Sequence, residues 1–114
     1  MTTTVTPSVL CPETEITNTA AIYITGPANA QVIIKRGVFT NVTGGAVTIT
    51  VHRVVSAGSV AAANMLISAR SVAAGETDLA PELANMVLDA GDTIRAFASA
   101  NTSINFTASG FVAT

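Results

Sequence analysis

The single histidine, His52, and the single cysteine, Cys11, are the side chains of this 114-residue chain best suited to covalent or metal chemistry. A histidine acts as a general base only where a proton donor and an orienting partner converge on it. Ser56 lies four residues on and seven acids are available, but the Gly-x-Ser-x-Gly elbow that would present a nucleophilic serine is absent. The alternation around His52 places it with Thr48 and Thr50, opposite Val47, Ile49 and Val51, so a surface or interface histidine is expected. One cysteine excludes an internal disulfide and any multi-cysteine metal site. Set between Leu10 and Pro12, Cys11 is expected to be a small apolar contact rather than a reactive or cross-linking thiol.

Glu76 with Asp78, and Asp89 with Asp92, flank turns where calcium ligands often lie, yet neither pair fits a twelve-residue calcium loop. Acids at such places more commonly hydrogen-bond the backbone of the turn, and that role is expected here. Gly44-Gly45 is followed by neither a lysine nor a helix, which excludes a phosphate loop. Lys35-Arg36 reads as a surface pair with a partner contact as the functional alternative. Arg53 and Arg95 could face inward and block strand pairing, or form ion pairs across an interface. No catalytic, cofactor-binding or metal-ligating residue is assigned, no cofactor is implied, and no enzymatic activity is expected.

Composition defines the elements that carry these side chains. Thr, Val and Ile number 39 of the 114 residues against 5 Leu, and β-branched side chains suit a pleated surface better than a helix. Charged residues make up only 11% of the chain, so much of the surface is expected to be covered by something else. Five scattered basic residues, a net charge of −2, no Trp and one Tyr argue against nucleic-acid binding. No run approaches the length of a membrane span, and MTTTVTPSVL lacks the pattern of a secretory signal. Synthesis in a cytoplasm is therefore expected, with the sequons at Asn41, Asn101 and Asn105 as chance matches.

Residues 1–15, rich in Thr and containing Pro7 and Pro12, read as an extended arm; residues 16–114 read as one domain. Strands are expected over 20–25, 31–41, 46–52, 65–72, 86–88, 93–100 and 104–112. Gly26-Pro27 forms a turn, Gly44-Gly45 supplies positive φ for a tight hairpin, and residues 56–64 form one longer crossover that could hold a helical turn. Pro81 demotes the start of the segment from Leu79 to Leu88. The expected architecture is all-β, a single antiparallel β-sandwich of jelly-roll or Greek-key type with seven to eight strands and an extended N-terminal arm.

Certain residues also carry a resemblance. They are Ile22-Tyr23-Ile24-Thr25-Gly26-Pro27, Val32-Ile33-Ile34-Lys35 leading to Val38-Phe39-Thr40-Asn41, the Thr43-to-Val51 segment, Leu88-Asp89-Ala90-Gly91-Asp92-Thr93-Ile94, and the closing strand from Ile104 to Val112. Over about four fifths of its length the chain thus resembles the small all-β virion proteins of tailed bacteriophages, most of all the head decoration or cement proteins. The resemblance implies a non-enzymatic protein on the head surface of a virion, bound to the major capsid protein and bridging neighbouring subunits. It also implies a homodimer or homotrimer, with the arm adding a strand to a neighbour. A tail, baseplate or fibre protein is the alternative, with a tail structural protein as partner. A carbohydrate-binding module fits less well, because sugar platforms commonly use exposed Trp or Tyr.

Overall fold

A computed structural model describes residues 4–114. Among them are nine strands: β1 (Val5–Ile16), β2 (Ala21–Thr25), β3 (Gln31–Asn41), β4 (Val47–Val54), β5 (Met65–Val72), β6 (Thr77–Asp78), β7 (Met86–Leu88), β8 (Thr93–Ala98) and β9 (Ile104–Ala113). They form two antiparallel sheets, one ordered β1-β9-β3-β6 with β7 also on β3, the other β2-β8-β4-β5. β6 and β7 lie along the same side of β3, opposite Phe39–Thr40 and Val32–Ile34 respectively. They act as one strand interrupted by the short turn of 3-10 helix at Pro81–Leu83. Counted that way, eight strands form two four-stranded sheets with the strand order of a jelly roll.

Period-two alternation builds the core. β3 buries Val32, Ile34 and Phe39, β8 buries Ile94, Ala96 and Ala98, and β9 buries Ile104, Phe106 and Ala108. Phe39 and Phe106 are register partners and stack with ring centroids 4.3 Å apart. Tyr23, from the opposite sheet, meets the edge of Phe106 at 6.1 Å, so an aromatic cluster joins the two layers.

Two expected loop assignments are exchanged in the structure. The Gly44-Gly45 turn does not close a hairpin, because β3 and β4 belong to different sheets, and neither glycine has positive φ. Its corner is held by Asn41, wholly buried, whose side-chain amide donates to the carbonyls of Gly45 and Val72 and whose Oδ1 accepts from Thr43 N and Oγ1. The longer 56–64 connection joins β4 to its neighbour β5 within one sheet, and it contains the anticipated helical turn, a 3-10 turn at Ala62–Asn64.

The described part of the N-terminal arm is extended, as expected, but it is built into the first sheet. As β1 it pairs with β9 from Val5 to Ile16, with bulges around Cys11, and it buries Cys11 and Ile16; residues 1–3 lie outside the described residues. Thr4 and Thr114 exchange both backbone hydrogen bonds. By antiparallel alternation, Val5, Pro7 and Val9 then turn their backbone groups to the open edge. Pro7 has no N–H to offer there, so it costs the β1–β9 ladder nothing and blunts the edge against an incoming strand.

Candidate functional site

Both residues singled out for chemistry are enclosed. Cys11 is a buried free thiol, its pKa raised by burial and partly offset by its contact with Thr14. His52 shares the outer face of β4 with Thr48 and Thr50, as the alternation predicts, but it is not a surface histidine: it is 4% exposed. The 55–64 connection folds back over it, and the His52 ring Nδ1 lies 2.8 Å from Asn64 Oδ1. Asn64 Oδ1 also accepts from Ala61 N, which makes it the acceptor and His52 Nδ1 the donor. Thr50, on the same face, accepts from Ala69 N at a β5 irregularity where Ala69 adopts a left-handed φ of 45°. A strand alternation reports which side a residue faces but not whether a later loop covers that side.

Two of the four turn acids, Asp78 and Asp92, serve the backbone as expected, whereas Asp89 accepts from the Gln31 side chain. Asp92 accepts from Ser56 N and Asp89 N and pairs with Arg53 at 3.0 Å. Arg53 stands opposite Ile94 in the β4–β8 ladder and so points between the sheets, where it also donates to Val87 O of the other layer. Arg95 points outward, donating to Thr93 Oγ1 and Gly58 O. Both arginines therefore have partners inside the chain. Asp78 caps Ala80 N and, with Glu82, grips Arg70, so that one guanidinium on β5 ties the second sheet to the Pro81–Leu83 turn beside the first.

These hydrogen bonds hold the Glu82 carboxyl below its usual range, Arg70 being the main cause. Because the folded-state pKa is depressed, the stabilisation is complete above the ordinary carboxylate range and disappears as pH falls through the folded value. Glu82→Gln is expected to cost less than about 1 kcal/mol near neutrality, since the pair is solvent-screened. The difference from the parent chain should close on acidification; urea melts at several pH values would show it, and a gap constant down to the lowest pH would contradict the assignment.

The outer face of the first sheet is open to solvent. Three shallow grooves follow one another along β9, of about 420, 260 and 210 Å³. The first is walled by Pro7, Val9, Lys35 and Phe111, the second by Arg36 and Val38, and the third by Glu13 and Thr40. Val9 is 67% exposed, and Val87, opposite Ile33, is 42% exposed. The end of the face near the termini is thus apolar and the other end is threonine-rich and acidic. Sequence reasoning missed this surface because half of it belongs to β1, read as a detached arm; the signal was the alternation of Val5, Pro7 and Val9. Among the described residues no group of three or more His, Cys, Asp and Glu side chains is placed to hold a metal ion. No helix is long and apolar enough to cross a membrane.

No protein-family model matches the chain, and no curated protein matches it. Among solved structures, it is similar to a chain in the structure of the infectious bursal disease virus Gx strain, at 12% identity and a TM-score of 0.48. The alignment covers 99% of this chain and 33% of that one, so this chain spans about a third of the other's length.

Proposed function

We propose that the protein is a non-enzymatic virion structural protein, a decoration or cement protein that binds the outer surface of a capsid shell and bridges its subunits. The observation that carries this reading is the open outer face of the first sheet. It is an apolar and charged contact surface on a domain whose His52, Asp78, Asp92, Arg53 and Arg70 side chains are already engaged within the chain. The jelly-roll strand order supports it by analogy only, since viral capsid domains and lectins share that architecture. A charged fraction of 11% suits a surface repeatedly covered in a lattice. The protein acts as a homodimer or homotrimer, with no strand added at β1, whose edge Pro7 blunts.

The test is a copy count on particles reconstituted from undecorated shells and the purified full chain. Saturation on the order of hundreds of copies per particle is expected from the symmetry of a shell, whereas a small multiple of three or six would move the protein to the tail. Failure to sediment with any particle would overturn the reading.

A further inference from the structure

We infer that the outer face of the first sheet is a self-association surface on which a second copy of this chain packs face to face, about a two-fold axis running along β9. The inference rests on the self-associating part of the proposed function and names the surface responsible.

Charge is distributed over this face in a way that suits its own copy. β1 carries Glu13 and Glu15 and no basic residue, β3 carries Lys35 and Arg36 and no acid, and β9 between them carries no charge. All four charged side chains lie on the outer face. Glu15 is the register partner of exposed Asn105, Glu13 borders the groove with Thr107, and Lys35 and Arg36 border the grooves with Ser109. Among the described residues, ion pairs engage Arg53 and Arg70 but none of these four; Lys35 instead donates to Asn85 Oδ1. A two-fold axis along the neutral strand lays the acidic β1 of each copy over the basic β3 of the other, with Glu13 beside Thr107 one outward step from the opposing Arg36 beside Ser109, and Glu15 beside Asn105 over Thr40.

The same operation satisfies the apolar end. Pro7 and Ile33 both stand beside Phe111, on β1 and β3 respectively, so the axis brings Pro7 of each copy over Ile33 of the other and the two Phe111 rings together. Val9 and Arg36 both stand beside Ser109, so Val9 covers the aliphatic stem of the arginine, whose head lies one outward step from the opposing Glu13. Strand directions in the two stacked sheets stay nearly aligned, the usual geometry of face-to-face sheets. A different partner would have to supply both charge signs in this arrangement, whereas a second copy does so by symmetry. On the second sheet the outer face is partly covered, because its own 55–64 connection lies over His52 and reaches Arg95.

The experiment is sedimentation equilibrium of the full chain, without particles, at low and high salt. The parent protein is expected as a dimer of about 23 kDa, twice the 11.5 kDa chain, loosened by salt. The double variant Glu13→Lys/Glu15→Lys should dissociate at least about tenfold more readily, and so should Lys35→Glu/Arg36→Glu. Combining all four substitutions should restore the dimer. These residues are on the surface, so the variants should still melt cooperatively, below the parent only by what association contributes, which separates lost association from lost folding. A monomeric parent chain, or a quadruple variant no better associated than the doubles, overturns the inference. Because no capsid is present, that result is independent of whether the protein binds one.

Discussion

Gly110→Ala is expected to destabilise the domain by about 3 kcal/mol or more, a cost typical of severe overpacking, which would lower the melting temperature by roughly 12 °C. Gly110 lies in β9 where β3 bulges between Ile34 and Arg36, and that bulge carries the Ile33 carbonyl across the glycine. A Cβ there would fall far inside van der Waals contact with Ile33 O and within 3.0 Å of Lys35 N. Both obstacles are backbone of a strand paired on each side, so relief requires shifting β3 relative to β9. Gly44→Ala provides the control, since a Cβ at that position meets nothing within 4 Å and the change should stay within about 0.5 kcal/mol. Equal effects at the two sites in calorimetry would falsify the account.

Asn41→Leu should be comparably damaging, at about 3 kcal/mol, despite adding apolar surface to a buried site. The amide satisfies Gly45 O, Val72 O and Thr43 N at once, and leucine offers none of the three a partner. An unpaired buried polar group costs about 1–3 kcal/mol, and partial access of the turn to water keeps the total below the sum. Asn41→Asp is the informative companion. It retains the acceptor for Thr43 but, when ionised, sets a carboxylate against the two carbonyls, so its loss near neutrality should be at least that of leucine and should shrink as the acid is protonated. A chemical denaturation series in which leucine equals or exceeds the parent would mean that the corner is held by packing alone.

Arg70 and Gly110 show two kinds of information that alternation does not contain. Nothing local in Ser-Ala-Arg-Ser indicates that Arg70 will reach Asp78 and Glu82 across the gap between the sheets, because those acids are brought near by the return of the chain along β3. Likewise Ser-Gly-Phe reads as an ordinary weak point in a strand until a bulge in a different strand is set against it.

From sequence alone, the β-branched composition and the period of two in segments such as Val47–Val51 determined that this chain forms antiparallel strands, and they assigned most of the strands and their buried faces. They did so because the pleat alternates side chains locally, whatever the partner strand. Tertiary structure decided which sheet each strand joins, that the glycine-rich corner crosses between layers, that the N-terminal segment becomes an edge strand, and that His52 is roofed over. Those outcomes depend on contacts between residues far apart in the chain, where side-chain period carries no address.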